Sequence, residues 1–215
     1  MGLSSGKRKI KIELTPNQRL DAKPFTDIEN SQQDLADLEM MRMALPNILA
    51  VLPDNNGEQV GQLAGGRAYR VITTNKVGLL AAASLVVVGF CGTRVSAISD
   101  ALLADMDVID GDLVEELYRH PAIVCYASIQ IEDGNWRNLV LLTDGDGVTH
   151  WRDSIRHLYA INVLSPSYYT HVRLHNGQLT AGLQSEHIQL ISTKYYDFQP
   201  SQTEPWRAIR QTVGR

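Results

Sequence analysis

Residues 84–90 read SLVVVGF, a run of β-branched and aromatic residues with almost no polar interruption. Such a run predicts a central β-strand that is buried on both faces of a sheet. A strand is also predicted just before it, at 67–73. After it, a helix is predicted at 96–120, because Leu102, Ile109 and Leu117 recur at helical spacing and Pro121 follows.

A β-hairpin is predicted next along the chain. Segments 123–131 and 136–143 flank Asp133-Gly134, a dipeptide typical of tight hairpin turns. Cys91 and Cys125 fall on the first and second strands of the series, which are not neighbours in the expected strand order. A disulfide between them is therefore not expected.

The rest of the chain completes a recognisable order of elements. A second helix is predicted at 148–164, with Pro166 beyond its end, and a last strand at 188–198. The order over 84–198 is strand–helix–strand–strand–helix–strand. This order predicts an α+β fold of the ferredoxin-like βαββαβ type, with one four-stranded antiparallel sheet and both helices on one face.

The chain divides into three predicted parts. Residues 1–66 form an irregular N-terminal extension with one helix from 31 to 44, stopped by Pro46. The ferredoxin-like domain takes 67–200, and 201–215 form a tail. The free face of the sheet needs a cover, which is either the extension or a second copy of the chain. We expect a homodimer.

Composition excludes several classes of protein. The chain has 215 residues, a net charge of −4, 44% hydrophobic and 20% charged residues, which is typical of a globular protein without a nucleic-acid footprint. Two cysteines exclude a disulfide scaffold. The longest uncharged stretch, between Lys76 and Arg94, is too short to span a membrane, and no secretory signal is found. We expect a cytoplasmic protein without nucleic-acid or membrane partners.

The βαββαβ series carries Trp151, Ser154 and His157 on its second helix. In this it resembles the dimeric α/β-barrel superfamily, and more narrowly the antibiotic-biosynthesis-monooxygenase-like proteins. The resemblance covers about half of the chain and implies a pocket between helices and sheet. Family members include cofactor-independent oxygenases, haem-degrading and haem-using enzymes, isomerases and ligand binders. Haem-degrading members place their haem-binding histidine where this chain has Ile161 and Asn162.

Three polar residues share one face of that predicted helix. His150, Ser154 and His157 are spaced i, i+4 and i+7. The histidines lie roughly 10 Å apart along the axis, too far to bind one metal ion. We predict His157 as a general base, with His150 and Ser154 binding substrate. The alternative is that His150 caps a solvent edge while His157 packs in the core against Ser154.

Segment 168–175 is the densest polar and aromatic cluster. Pro166 and the β-forming residues after it predict an extended conformation, with Tyr169, His171, Arg173 and His175 on one side. The two histidines would then lie roughly 13 Å apart, so no shared metal site is predicted. Arg173 would pair with an anionic ligand or with a carboxylate of the protein.

Two functional hypotheses follow from these residues and from the resemblance. The first is an enzyme acting on a small hydrophobic molecule by monooxygenase-like or proton-transfer chemistry. No motif indicates a cofactor, although haem is one that the family implies. The second is a non-catalytic dimeric binder of haem or another planar ligand. The catalytic candidates are His157, Tyr169 and Arg173, and the substrate-binding candidates are His150, Ser154, Trp136, His171 and His175.

Overall fold

The computed structural model describes residues 12–54, 57–63, 65–131, 133–198 and 204–212. Its helices are α1 Ile28–Val51, α2 Lys76–Ala81, α3 Asp100–Arg119, α4 Asp146–Arg152, α5 Ile155–Tyr159 and α6 Ser165–Tyr168. Its strands are β1 Ile12–Leu14, β2 Gly57–Gln62, β3 Ala68–Thr73, β4 Leu85–Arg94, β5 Ile123–Gln130, β6 Trp136–Leu142, β7 Tyr169–Leu183, β8 Gln189–Asp197 and β9 Trp206–Gln211.

The predicted fold, a four-stranded antiparallel ferredoxin-like sheet, is wrong. Within the described ranges the strands form one nine-stranded mixed sheet in the order β1-β9-β8-β7-β4-β6-β5-β3-β2. β4 pairs with β6 on one side and with β7 on the other, whereas the predicted last strand, β8, pairs with the far side of β7. β2 and β3 extend the sheet beyond β5. The sheet is larger because segments outside 84–198 also supply strands.

The two ends of the sequence meet at one edge of this sheet. β1 pairs in parallel with β9, with Ile12 opposite Ala208 and Leu14 opposite Arg210. The Arg210 side chain donates hydrogen bonds to the carbonyls of Thr15, Gln18 and Thr26. Parts of the predicted N-terminal extension and of the predicted tail therefore belong to the same sheet.

Several elements agree with the sequence-based predictions. The hydrophobic run forms β4, the first long helical stretch forms α3, and the hairpin β5–β6 is confirmed. In the hairpin turn Gly134 has a φ of 79°, in the left-handed region that glycine enters without steric cost. These elements are decided by local sequence, namely β-branched runs, helical spacing and a turn dipeptide.

The helix of the N-terminal region is longer than predicted. α1 continues through Pro46 to Val51, so the expected stop at Pro46 is wrong. An internal proline normally disrupts a helix. The continuation is favoured by burial, because Leu45, Ile48 and Leu49 after the middle of the helix are all at most 7% exposed.

Helices cover both faces of the sheet. The side chains of α1 pack against one face in the main hydrophobic core, which includes Leu85 and Val87 of β4 and Leu139 and Leu141 of β6. α3 and α4 pack against the other face, where Leu117 lies among side chains that include Ile123 and Leu142. α1 therefore supplies the cover that the sequence assigned to the N-terminal region or to a second copy. The homodimer stays a prediction, but an uncovered sheet face is no longer a reason for it.

The predicted second helix, 148–164, is wrong as one continuous helix. α4 ends at Arg152, and Ser154 begins α5 by accepting a hydrogen bond from the backbone N–H of His157 at 3.1 Å. A π-helical turn, Ala160–Leu164, then leads into α6, which contains Pro166 in its first turn. His150 and His157 therefore lie on different helices.

No helix in the described part of the chain is long and apolar enough to cross a membrane.

Candidate functional site

β7 confirms that the segment after Pro166 is extended, but it does not put all four predicted residues on one side. A register shift between Thr93 and Arg94 interrupts its pairing with β4. Tyr169 packs edge-on against Phe90 at 5.4 Å between ring centres. Phe90 and Cys91, as neighbours on one strand, face opposite sides, and Arg173 is paired with Cys91. Tyr169 therefore lies on the opposite sheet face from Arg173.

Arg173 and His175 belong to a buried charge cluster between α1 and the sheet, made of Asp34, Asp37, Arg137, Arg173 and His175. Both oxygens of Asp34 accept hydrogen bonds from Arg173, with Nη2 at 2.8 Å from Oδ1. His175 Nε2 lies 3.0 Å from Oδ2 of Asp34, and Arg137 Nε lies 3.1 Å from its Oδ1. Asp34 is 0% exposed. Arg173 thus pairs with a carboxylate of the protein, one of the two partners expected from the sequence.

The ionisation of the cluster follows from its geometry. Burial alone would raise the pKa of Asp34, but hydrogen bonds from Arg173 and His175 hold it well below its usual value. His175 is satisfied at both nitrogens, since its Nδ1 lies 2.9 Å from the hydroxyl of Thr193. Asp34 therefore stays a carboxylate that neutralises buried arginines.

Cys91 lies beside this cluster, and its sulfur, a carboxylate oxygen of Asp34 and a ring nitrogen of His175 lie within 4.8 Å of one another. Burial raises the pKa of the Cys91 thiol, and the charge of Asp34 raises it further. A protonated thiol is neither a good nucleophile nor a good metal ligand. The guanidinium groups of Arg137 and Arg173 already contact Asp34, so a cation would be repelled. The cluster is therefore a structural ion-pair network.

The remaining strand candidates lie apart from one another. His171 stacks on Phe25 with ring centres 4.6 Å apart, and burial lowers its pKa to about 4. Trp136 begins β6 and is 36% exposed. Its neighbour Asn135 accepts a hydrogen bond from the backbone N–H of Arg94 at 2.8 Å, which anchors the hairpin.

The other predicted residues lie near a polar cleft between the end of α3 and the α4–α5 junction. We call this the histidine cleft; its volume is 340 Å³ and it is lined by Glu116, Arg119, His120, His150, Trp151, Ser154 and Arg156. A second depression shares His150 and Ser154 with it. Predicted substrate-binding residues His150 and Ser154 thus line one cleft.

The ring of His120, one of the residues lining the histidine cleft, is held in place by the backbone that follows it. His120 ends α3 with an extended backbone, and Pro121 after it has no N–H. Its Nδ1 accepts hydrogen bonds from the backbone N–H groups of Ala122, at 3.2 Å, and Ile123, at 3.0 Å. The proton of a neutral ring must therefore be on Nε2. Nε2 is buried and makes no hydrogen bond of good geometry among the described residues, although the backbone of Gly147 is close enough to act on the ring.

Electrostatics keep that ring neutral. Burial lowers the pKa of His120 and the nearby His150 lowers it further, against a hydrogen bond with the backbone of Gly147 and the negative charges of Asp144 and Glu116. The rings of His120 and His150 are 4.9 Å apart at their centres and nearly perpendicular. A neutral imidazole with a fixed Nε2–H can polarise a carbonyl oxygen without giving up its proton. His120 is therefore suited to act as a hydrogen-bond donor to a ligand.

Glu116 and Ser154 hold the end of α3 against the start of α5. Ser154 Oγ donates a short hydrogen bond to Glu116 while it accepts one from the N–H of His157. Its hydroxyl is thus committed to binding α3 to α5. Ser154 positions the two helices, and His150 is exposed at the cleft, where it is available for acid–base chemistry.

His157, the predicted general base, lies behind Trp151 with ring centres 5.1 Å apart. It does not line the histidine cleft. Its Nδ1 is buried without a hydrogen-bond partner in the described part of the chain. Burial lowers its pKa to about 4, against partial compensation by the carbonyls of Trp151 and Arg152. This environment matches the alternative in which His157 is a packing residue.

Acid should therefore destabilise the fold through His157. Its pKa is about 4 in the folded chain against 6.5 for the ordinary value, so the unfolded chain binds the proton more tightly. The free energy of unfolding should be constant above pH 6.5 and fall by up to about 3 kcal/mol as pH drops to 4. In His157→Phe this part of the pH dependence should be absent when unfolding is followed by denaturant titration. The control is His187→Gln, at an exposed position. An unchanged slope in His157→Phe would contradict the assignment.

Haem is one cofactor that the family resemblance implies, and the residues lining the histidine cleft can be compared with what a haem site needs. A haem site needs an axial ligand and extensive apolar walls. His120 presents a protonated nitrogen, and Trp151 is the one apolar side chain among the residues lining the cleft. These residues do not fit a haem group.

Comparison with known proteins adds little to this geometry. No family model matches the sequence, and no curated protein matches it. Among solved structures, a crystal structure of aldoxime dehydratase (OxdRE) in complex with butyraldoxime shows 12% identity and a TM-score of 0.26. The match covers 76% of this chain and 40% of that chain. A likeness at that TM-score carries no inference about fold or activity.

Sequence reasoning missed His120, Glu116 and Asp34. His120 was used only as the end of a helix, although a histidine before proline leaves its Nδ1 free to accept the next backbone N–H groups. Glu116 lies 38 residues before Ser154, and Asp34 lies 139 residues before Arg173. No local pattern signals contacts over such separations.

Proposed function

We propose that the chain is an enzyme that transfers a proton next to the carbonyl group of a small polar molecule bound in the histidine cleft. The observations that carry the proposal are the fixed tautomer of His120, the 4.9 Å between its ring centre and that of the exposed His150, and the place of both histidines in the lining of the cleft. Of the two chemistries expected from the sequence, proton transfer needs only groups that line this cleft. A polar substrate replaces the expected hydrophobic one, because Glu116, Arg119 and Arg156 are among the lining residues.

The roles follow from the positions of the two histidines. His120 Nε2–H donates to the carbonyl oxygen and stabilises the negative charge that develops there. His150 takes the proton from the adjacent carbon and returns it to the same or a neighbouring carbon, which completes an exchange or an isomerisation. Arg119 lies 3.5 Å from Glu115, and Arg156 lies 3.5 Å from Asp112 and 3.8 Å from Glu115, so a carboxylate or another anionic group of the substrate would bind these arginines in competition with the two side chains.

The test is hydrogen exchange in D₂O. A panel of small 2-oxo acids and hydroxy ketones is incubated with the protein, and the loss of the C–H signal next to the carbonyl is followed by proton NMR. At least one compound should exchange faster with the protein than without it. His120→Asn keeps an oxygen for the N–H groups of Ala122 and Ile123 but removes the Nε2–H. It should slow exchange at least tenfold, about 1.4 kcal/mol of transition-state stabilisation.

Two further variants make the test specific. His120→Gln places an N–H near the former Nε2 and should retain more exchange than His120→Asn. His187→Gln, at the exposed turn after β7, should exchange at the rate of the unchanged protein. Absence of catalysed exchange across the panel would rule out the proposed reaction, and binding without exchange would favour the alternative of a non-catalytic small-molecule binder.

A further inference from the structure

Positive side chains gather around Tyr196 on the outer part of the sheet, and none of them lines the histidine cleft. We call this group the cationic patch; it consists of Arg152, Lys194, Tyr196 and Arg207. Tyr196 on β8 is directly opposite Arg207 on β9, and the guanidinium carbon of Arg207 is 5.7 Å from the centre of the tyrosine ring. Lys194 precedes Tyr196 by two residues and so shares its sheet face.

Arg152, at the end of α4, completes the patch. Its positive charge acts on both Lys194 and Tyr196 of β8. Burial lowers the pKa of Lys194, and Arg152 lowers it further. Burial raises the pKa of Tyr196, and Arg207 and Arg152 oppose that rise. Arg152 therefore acts on Lys194, and Arg152 and Arg207 both act on Tyr196. Like charges in a half-buried site repel unless anions separate them.

Around the cationic patch the described residues supply less negative charge than positive charge. Asp153 binds Arg152 through two contacts, at 2.9 and 3.3 Å. Within the described residues Lys194 and Arg207 have no hydrogen bond and no ion pair, and Nε of Arg207 is buried without a partner. Leaving buried donors and cations unpaired is costly. The patch therefore carries an excess of two positive charges that a bound anion would neutralise.

We propose that the cationic patch binds a phosphate group, with Lys194 and Arg207 as its direct contacts and Arg152 adding charge. A phosphate dianion matches the excess of two charges, whereas a single carboxylate leaves half of it. Arg207 offers planar N–H donors that suit two phosphate oxygens, and Lys194 offers a mobile ammonium. This site uses none of the residues of the proposed proton-transfer reaction, so either proposal can fail without the other.

The binding test uses inorganic phosphate at constant ionic strength, with calorimetry or ³¹P NMR as the readout. Saturable binding is expected, and Lys194→Met and Arg207→Gln should each weaken it at least tenfold. The matched control is Arg19→Gln, whose guanidinium pairs with Glu29 at an exposed site, and it should bind as the unchanged protein does. Methyl phosphate run in parallel distinguishes free phosphate from a phosphate ester as the source.

A second measurement separates ligand binding from a structural role. Without phosphate, Lys194→Met should unfold at the same or a higher temperature, because it removes repulsion with Arg152. Phosphate should raise the melting temperature of the unchanged protein and not that of the variant. The proposal is overturned if phosphate does not bind saturably, if acetate stabilises the protein equally, or if Lys194→Met destabilises the protein and still binds phosphate.

Discussion

Replacing Asp34 with alanine should lower the free energy of unfolding by about 3–5 kcal/mol, the usual cost of removing one partner from a buried ion pair. Asp34 is the acceptor for Arg173 and His175 and lies 3.1 Å from Nε of Arg137. Its removal leaves two buried guanidinium groups with Asp37 as the nearest remaining carboxylate of the cluster. Urea denaturation of the variant measures the loss.

The control for this variant is on the same helix. Glu29 pairs with Arg19 at a site where both side chains are more than half exposed. Glu29→Ala should change the free energy of unfolding by less than about 1 kcal/mol, as exposed ion pairs do. A cost below 1 kcal/mol for Asp34→Ala would show that water reaches the cluster and that the arginines are not buried in solution.

A comparably large effect is expected for Leu45→Ala. Leu45 is 0% exposed and packs in the core between α1 and the sheet. Its truncation should cost about 2–5 kcal/mol through lost burial and the cavity left behind. Met43→Ala on the same helix should cost far less, because Met43 is 68% exposed.

This pair of variants also tests what covers the sheet. If α1 covers the face, Leu45→Ala lowers stability at any protein concentration. If a second copy of the chain covered it instead, the stability would depend on protein concentration, and Leu45 and Met43 would respond alike. Chemical denaturation at two protein concentrations distinguishes these cases.

The parts of the fold that the sequence predicted are those set by neighbours along the chain. β4, α3 and the β5–β6 hairpin follow from a β-branched run, helical spacing and Asp133-Gly134. Pro46 was misinterpreted because its local preference is overridden by burial of the leucines and isoleucine that follow it. The sheet order was wrong because the pairing of β7 with β4 and the addition of β1, β2 and β9 are not encoded in local periodicity.

Residues of the candidate site were likewise predictable only where the pattern that reveals them is local in the sequence. His150 and Ser154 were found from helical spacing, although the helix breaks between them. His120 and Glu116 come from the end of α3, and only tertiary packing brings them to the cleft. Tyr169 was placed beside Arg173 by counting alternate residues, and the register shift opposite Thr93 and Arg94 invalidates that count.

The parallel pair of β1 and β9 also constrains the order in which the chain can fold. During synthesis β1 emerges from the ribosome about 200 residues before the strand it pairs with, so it waits without a partner until nearly all of the other strands have been made. The same holds for the carbonyls of Thr15, Gln18 and Thr26, which are bound only when Arg210 arrives. This edge of the sheet is therefore the last to form, and until then β8 presents an open edge that neighbouring chains can pair with.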